Sequence, residues 1–217
     1  MNLKFLITLL LPLLISSLAF ASDIDKKAFA SDIYQKISKL QTGDIVFQEV
    51  NNTQGLAVKA ATDSSWTHVG IIYFIDDKPF VIEAIQPVSV TPLHHFIARN
   101  PNSFHPMRLK NNKEIFTTEN LMAAASYVKS QLGKNYDNKF LWNNDRIYCS
   151  EHVWKVYKKA ANIELCKPRA MKSYNLQHPI VQKIITQRYD STSNLPLDEL
   201  VVAPSDIAES ELLVTIH

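Results

Sequence analysis

Three residues that lie far apart in the sequence, Cys149, His68 and Glu83, are of the types that thiol chemistry needs. A cysteine at the start of a helix feels the positive end of the helix dipole, which favours the nucleophilic thiolate over the thiol. An imidazole beside it can act as the base, and a carboxylate can orient that imidazole. The three residues therefore predict a nucleophile that attacks a carbonyl group and forms a thioester.

The segment Cys149–Ala161 is predicted to be an amphipathic helix that begins at the candidate nucleophile. Its charged residues fall on one face, and Cys149 falls on the apolar face, so the thiol points toward the core from the first turn. The backbone N–H of Cys149 is then a natural donor to an oxyanion, and Tyr148 and Thr67 are weaker candidates for the second donor. The alternative for Cys149 is a small packing residue.

His68 and Glu83 lie on two predicted neighbouring strands, His68–Ile75 and 80–85. If the connecting loop has two residues, Gly70 faces Glu83, and the two candidate residues lie on the same sheet face about 7–8 Å apart at the backbone. A four-residue loop preserves this shared face, whereas a three-residue loop separates the pair. The alternatives are a hydrogen-bonded core histidine and a glutamate at an exposed end of the sheet.

The remaining sequence predicts an α+β fold. Helical spacing, caps and stop signals predict further helices at 31–40, 118–132 and 179–189. Apolar runs predict a strand at 45–47 and short strands at 88–91 and 107–109. Segment 51–65 is either a loop or a short helix. Four prolines between residues 86 and 116 interrupt regular structure, so the sequence predicts no further helix or strand in that region.

Residues 1–21 are predicted to be a secretory signal peptide. Lys4 precedes the apolar run 5–15, and Ala19-Phe20-Ala21 matches the small-x-small cleavage pattern. The run falls short of the roughly 20 residues that a membrane-spanning helix needs, although an uncut anchor is the alternative. Residues 22–217 are then expected to form a single domain that works in the periplasm or as a secreted protein.

Charge and cysteine content narrow the possible partners. The net charge is +2 with no long basic run, so nucleic acid is not an expected partner. Cys149 and Cys166 are the two cysteines, and in an exported protein a disulfide between them is an alternative. Neither belongs to a zinc-binding spacing, so no metal or cofactor is predicted. A weaker alternative is a metal site built from the three candidate catalytic residues, or from His94 and His95.

Four short motifs occur in an order that resembles a known family: Leu40-Gln41-Thr42-Gly43-Asp44-Ile45-Val46-Phe47, Thr67-His68-Val69-Gly70-Ile71, Val81-Ile82-Glu83-Ala84 and Tyr148-Cys149-Ser150-Glu151. Together they resemble the YiiX/YebB-like branch of permuted NlpC-type, papain-fold cysteine hydrolases. Segment 202–207 also resembles the C-terminal part of that branch.

The resemblance implies a circularly permuted papain-like fold of the NlpC type, in which an antiparallel sheet or small barrel packs against the nucleophile helix. It implies His68 as the base, Glu83 as the orienting residue and Cys149 as the nucleophile. Asp44 belongs to the same signature, either as a binding residue or as a turn residue that sets the entry of its strand.

The expected substrate is a peptide or cell-wall peptide that the enzyme cleaves at an amide bond. The second hypothesis is a lipid acyl hydrolase or acyltransferase that uses the same nucleophile, with a substrate at a membrane surface. The third is a non-catalytic binding domain of the same fold. Four aromatic side chains could line either groove or simply pack: Trp66, Trp142, Phe140 and Tyr136. The sequence leaves the oligomeric state and the acyl acceptor open.

Overall fold

The computed structural model describes residues 30–143 and 145–217. Helix α1, residues 30–38, confirms the helix predicted at 31–40 and belongs with residue 217 to a small unit. The main body is a second unit, Leu40–Ile216, and it contains every candidate site residue. The predicted signal peptide, residues 1–21, lies outside the described residues.

The main body is built on a six-stranded antiparallel sheet with the order β4-β3-β2-β1-β5-β8. A separate two-stranded ribbon pairs β6 with β7. The strands are β1 Ile45–Gln48, β2 His68–Ile75, β3 Lys78–Glu83, β4 Ser89–Pro92, β5 His105–Leu109, β6 Arg169–Ala170, β7 Leu200–Val201 and β8 Leu213–Thr215. The α+β class and the antiparallel sheet are confirmed, and within the described residues the sheet is open rather than closed into a barrel.

Among the described residues of the main body, seven α-helices accompany the sheet and the ribbon. They are α2 Thr53–Thr62, α3 Leu93–Arg99, α4 Asn112–Ile115, α5 Thr118–Gln131, α6 Cys149–Ala161, α7 Pro179–Tyr189 and α8 Pro204–Ala208. The bounds of α6 and α7 agree with the sequence prediction. Segment 51–65 forms a helix, and its first turn is capped because the Asn52 side chain accepts a 2.8 Å hydrogen bond from Gly55 N–H. None of the helices in the described part of the chain is long and apolar enough to cross a membrane.

The β2–β3 hairpin has the two-residue turn that the sequence predicts. Asp76 and Asp77 both adopt left-handed backbone conformations, with φ of 47° and 59°, as type I′ hairpin turns require. Ile75 therefore lies opposite Lys78, and continuation of this register places Gly70 beside Glu83. A Cβ atom at Gly70 would lie 2.4 Å from Val81 Cγ1, so this position requires glycine.

Helix α6 packs across the inner face of the sheet and closes the main core. The core joins side chains from the strands and from α6, among them Ile45, Phe47, Val69, Ile71, Ile82, Val153, Val156 and Tyr157. The Tyr157 hydroxyl also donates a hydrogen bond to the backbone carbonyl of Gly43, which precedes β1. This packing fixes the start of α6 against the hairpin that carries the other two candidate residues.

The charged face predicted for α6 is wrong over its first two turns. Glu151 is fully buried and Lys155 is 9% exposed, and the two form an ion pair of 2.6 Å. Lys155 also donates to the Asn143 carbonyl at 2.9 Å and lies over the Trp142 ring. Helix α5 and the loop before α6 cover a face that periodicity alone assigns to solvent.

His152 is a second polar residue of α6 that the fold buries completely. Neither ring nitrogen has a hydrogen-bond partner among the described residues. Burial lowers the pKa of His152 from 6.5 to about 4, because the imidazolium would lose its hydration there. The ring is therefore neutral in the folded protein at neutral pH.

This buried histidine is expected to make the protein sensitive to acid. Between pH 6.5 and about 4 the unfolded chain binds a proton that the folded chain does not, so the stability present above pH 6.5 is lost as the pH falls through about 4. The loss from this group is about 3 kcal/mol. Urea titrations across this pH range should show a much smaller loss for His152→Leu. The exposed-site control His95→Gln should keep the wild-type slope, and an equal slope in all three proteins would contradict the prediction.

Candidate active site

The structure brings His68 next to Cys149, where β2 and α6 both begin. Cys149 is 4% exposed and His68 is 7% exposed. The His68 ring and the Cys149 thiol lie close enough for each group to shift the pKa of the other. Since His68 Nε2 lies 2.5 Å from Glu83 Oε2, the thiol is left to Nδ1. This is the geometry in which an imidazole takes a proton from sulfur.

The electrostatics of the pair favour a thiolate beside an imidazolium. Burial by itself lowers the pKa of His68, but the hydrogen bonds and charges of Cys149 and Glu83 outweigh it and raise that pKa to about 9. Burial also disfavours the thiolate, yet His68, the Tyr136 hydroxyl and the Val69 backbone together lower the pKa of Cys149. The proton therefore resides on His68 at neutral pH.

Glu83 is fully buried at the end of β3 and is held from two sides. Its Oε2 lies 2.5 Å from His68 Nε2, and Arg99 donates to both carboxylate oxygens at 2.7 and 2.8 Å. Burial raises the pKa of Glu83, but His68, Thr91 and Arg99 outweigh it and lower that pKa to about 2. Glu83 is thus a fixed anion that orients the ring and keeps its Nδ1 toward sulfur.

Arg99 is a site residue that the sequence analysis missed. It ends α3, a helix that lies among the four prolines where no helix was predicted. The guanidinium also lies 4.8 Å from the centroid of the Phe96 ring, which holds it in place over Glu83. The only sequence signal was Phe96 and Arg99 at helical spacing, and that signal does not identify the carboxylate partner.

Removal of the Arg99 charge is expected to change the pH profile of the site. The guanidinium shares Glu83 with His68, so it disfavours the imidazolium, and Arg99→Gln should raise the pKa of His68 further. Activity that needs the His68 imidazolium is lost when the ring loses its proton at high pH, so kcat/KM should have an alkaline limb there. In Arg99→Gln this limb should move to higher pH by about half a unit to one unit. Arg169→Gln, which removes an arginine paired with Asp206, is the matched control and should leave the limb in place. A limb that moves to lower pH in Arg99→Gln would contradict the prediction.

A second donor points at the sulfur from the loop before α6. The Tyr136 hydroxyl donates toward Cys149 Sγ at 3.9 Å, and the Tyr136 side chain is buried. The first amides of a helix have no intrahelical acceptor, so Cys149 N–H is also available at this point. Tyr148, the predicted second donor, caps α6, and its hydroxyl accepts from Val202 N–H at 3.1 Å. The geometry therefore favours Tyr136 beside the Cys149 amide.

An apolar pocket opens directly beside Cys149. Its walls come from α2, from α7 and from the segments that join α7 to β6 and β7. They include Ala57, Met171, Leu176, Val181, Ile185 and Leu195. Thr67, Tyr136 and Tyr148 also line it, together with Phe140. The pocket has the lining of a site for an apolar group that must be presented to the nucleophile.

The structure places the two predicted tryptophans in packing positions. Trp66 stacks on His105 with ring centroids 4.8 Å apart, and Trp142 packs edge-on against Trp154 at 5.1 Å. Neither indole lines the pocket beside Cys149. Both indoles pack against the main core, as the packing alternative for these aromatics predicts.

Asp44 also lies away from the candidate nucleophile. Its backbone carbonyl accepts from Ile72 N–H, four residues along β2 from His68, or about 13 Å at the usual rise of a strand. The carboxylate is fully buried and accepts two 2.7 Å hydrogen bonds from Arg108 and one from Gln41 N–H. Asp44 therefore fixes the entry into β1, which favours the alternative of a turn residue over a binding role.

The cysteines and histidines give two further outcomes. Cys149 and Cys166 are both free thiols, so the alternative of a disulfide between them does not hold. The rings of His94 and His95 are adjacent, with centroids 4.2 Å apart. Across residues 30–143 and 145–217, however, no three His, Cys, Asp or Glu side chains are grouped so as to hold a metal ion.

The fold and this site together define a papain-like cysteine hydrolase of permuted chain order, in which the histidine strand precedes the cysteine helix. The family model of Peptidase C92, described as permuted papain-like amidase enzymes of the YaeF/YiiX type, matches residues 39–217. The chain therefore belongs to this family.

Two relatives from Escherichia coli agree with this assignment. The uncharacterized protein YiiX of strain K12 is 36% identical over 176 residues, which cover 81% of this chain and 85% of that protein. A crystal structure titled metalloprotein yiiX, from strain O157:H7, superposes with a TM-score of 0.74 at 36% identity, covering 82% of this chain and 96% of the other.

Proposed function

We propose that this chain hydrolyses an amide bond with Cys149 as the nucleophile, His68 as the acid and base, and Glu83 as the residue that orients His68. The observation that carries the proposal is the arrangement of three groups at the start of α6: Glu83 lies 2.5 Å from His68, and His68 in turn lowers the pKa of the Cys149 thiol. A packing cysteine needs no such partners. Membership of an amidase family gives independent support.

In the first half of the reaction, the Cys149 thiolate attacks the amide carbon and a C–S bond forms. The carbonyl electron pair moves to oxygen, and that oxyanion accepts hydrogen bonds from Cys149 N–H and the Tyr136 hydroxyl. The intermediate collapses and the C–N bond breaks. The His68 imidazolium gives its proton to the departing amine and becomes neutral.

In the second half, the neutral His68 removes a proton from water as the water oxygen attacks the thioester. The C–S bond breaks and sulfur leaves as thiolate, while the acid product departs. The proton from water remains on His68, so the starting thiolate–imidazolium pair is restored. Glu83 stays ionised throughout and stabilises the imidazolium at each stage.

The pocket supports an apolar acyl group as the part of the substrate that the enzyme retains. Its walls are largely apolar and Cys149 itself lines it, so an apolar acyl group bound there would lie next to the sulfur. Two kinds of substrate fit this pocket equally well: a lipid acyl amide or ester, as in the second hypothesis, and a peptide with a bulky apolar residue. A signal peptide at residues 1–21, as the sequence predicts, would deliver the enzyme to substrates of the cell envelope.

The description of the solved relative as a metalloprotein raises the question of a metal at this site. Cys149 and His68 could supply one sulfur and one nitrogen ligand, but both oxygens of Glu83 are bonded by Arg99 and one also by His68. The side chains present fall short of the four ligands of a structural zinc site or the three of a catalytic one. The donor set therefore does not fit a resident metal, and the proposed steps use none.

The proposal is tested by trapping the thioester. The mature protein is incubated with a long-chain N-acyl amide, the matched acyl ester and a short peptide amide, and each sample is acid-quenched for intact-mass and peptide mass spectrometry. We expect an adduct of the acyl mass on Cys149. Formation from the acyl substrates alone supports the lipid hypothesis, and formation from the peptide alone supports a peptidase.

The two-cysteine content of the chain provides the control. Cys166→Ala should form the same adduct, because Cys166 lies outside the site and burial raises its pKa to about 12. Alkylation by iodoacetamide should be faster at Cys149 than at a model thiol near neutral pH. No adduct with any substrate, together with alkylation no faster than that of the model thiol, would favour the non-catalytic binding domain instead.

A further inference from the structure

A chain of hydrogen bonds runs from α7 through α2 to the candidate nucleophile. Arg188 Nη2 donates to Gln54 Oε1 at 2.7 Å, and Gln54 Nε2 donates to the Tyr136 hydroxyl oxygen at 3.0 Å. The Tyr136 hydroxyl in turn donates toward Cys149 Sγ at 3.9 Å. Three elements distant in sequence thus converge on one wall of the apolar pocket, which these four residues also line.

The chemistry of the first link fixes the direction of the whole chain. A guanidinium can only donate hydrogen bonds, so the carbonyl oxygen of Gln54 must face Arg188. The amide nitrogen of Gln54 must then face Tyr136, and it too can only donate. The oxygen of Tyr136 therefore receives a hydrogen bond, and its own proton is left to point at the sulfur. Every donor in the chain points toward Cys149.

Arg188 brings a positive charge to the far end of the chain. Its side chain also donates to the Asn138 carbonyl at 2.7 Å and lies 5.3 Å from the centroid of the Phe140 ring. Within the described residues, no carboxylate lies within ion-pair distance of it. Its charge is therefore available to polarise Gln54, and through Gln54 the Tyr136 hydroxyl.

We propose that Gln54 and Arg188 are positioning residues that hold the Tyr136 proton toward Cys149. The Tyr136 hydroxyl is then a preorganised donor, first to the thiolate and then to the oxyanion of the tetrahedral intermediate. The inference rests on the proposed function, because it assigns Tyr136 as the second oxyanion donor. A tyrosine without this support could turn its proton to any nearby acceptor. An apolar pocket has few polar groups, so the few that are present must point in the productive direction.

Replacement of Gln54 by glutamate tests the direction of the chain. One carboxylate oxygen would still accept from Arg188, but the other would face Tyr136 as an acceptor and draw its proton away from the sulfur. Gln54→Glu should therefore lower kcat about 100-fold with little change in KM. It should also raise the pKa of Cys149, read from thiolate absorbance against pH, by about one to two units.

Gln54→Met is the matched control, since it has nearly the same length but neither donates nor competes for the Tyr136 proton. It should cost less than about 10-fold, whereas a purely structural role predicts that methionine is at least as harmful as glutamate. Arg188→Met, which frees the Gln54 amide to turn, should lie between the two. Lys183→Met on the same helix should resemble wild type, because this lysine does not line the pocket.

A double-mutant cycle separates hydrogen-bond direction from added charge. In the Tyr136→Phe background no hydroxyl remains to be turned, so Gln54→Glu should cause no further loss of kcat and no further change in the thiol pKa. An equal effect of Gln54→Glu with and without the tyrosine would overturn the inference. The thiolate measurement needs no substrate: a wild-type thiol pKa near the ordinary value would defeat the proposed function itself, whereas a lowered one that Gln54→Glu leaves unchanged defeats only this inference.

Discussion

Cys149→Ala is expected to abolish hydrolysis, with a fall in kcat of about 10⁴- to 10⁶-fold. The variant removes the atom that forms the thioester, and the remaining oxyanion donors have no covalent intermediate to stabilise. Cys149 is a small, buried side chain at the start of a packed helix, so alanine should leave the fold intact. Initial rates on the substrate that gives the acyl adduct, with enzyme concentration fixed by absorbance, provide the measurement.

Cys166→Ala is the control for this loss, because it removes the other thiol without touching the site. It should retain wild-type rates, and both variants should have melting temperatures close to wild type. If Cys149→Ala kept a substantial rate while remaining folded, water rather than sulfur would be the attacking group and the thioester mechanism would be wrong.

Strands β1 to β5 and the nucleophile helix could be predicted because their signals are local, whereas the short strands β6, β7 and β8 were missed. The period of α6 and the turn signal at Asp76 and Asp77 lie within short stretches of sequence, and the register of the hairpin follows from the turn. That register is sufficient to place His68 and Glu83 on one face. The meeting of that face with Cys149 depends on packing between distant elements, which the resemblance to a family implied and periodicity did not.

The supporting residues could not be predicted, since each depends on contacts between distant segments. Arg99 reaches Glu83 from a helix hidden among prolines, and Gln54 and Arg188 reach Tyr136 from helices far apart in the sequence. Tyr136 was expected only as an aromatic of the groove, because a sequence does not show where a hydroxyl proton points. Contacts between distant segments also explain why helical periodicity alone assigned the face of α6 that carries Lys155 to solvent.

His68→Ala is expected to reduce kcat by about 10⁴-fold or more, and to change the reactivity of the thiol. Without the imidazole, the first of the influences that lower the pKa of Cys149 is lost, so that pKa should rise toward or above its ordinary value. Alkylation by iodoacetamide near neutral pH should slow accordingly. Glu83→Gln should cost less, because an amide can still hydrogen-bond the ring.

The pH dependence of the wild-type enzyme follows from the same pair. Raising the pH through about 9 removes the proton from His68, so the acid that protonates the leaving amine is lost and kcat/KM should fall there.

The raised pKa of His68 also affects the stability of the fold. Its contribution to the free energy of unfolding is complete below pH 6.5 and is lost as the pH rises through about 9. His68→Gln keeps a polar side chain in the site, so it serves as a variant that removes the imidazole while leaving the protein folded. If the folded His68→Gln protein kept both fast alkylation and the alkaline limb, another residue would be the proton partner of Cys149.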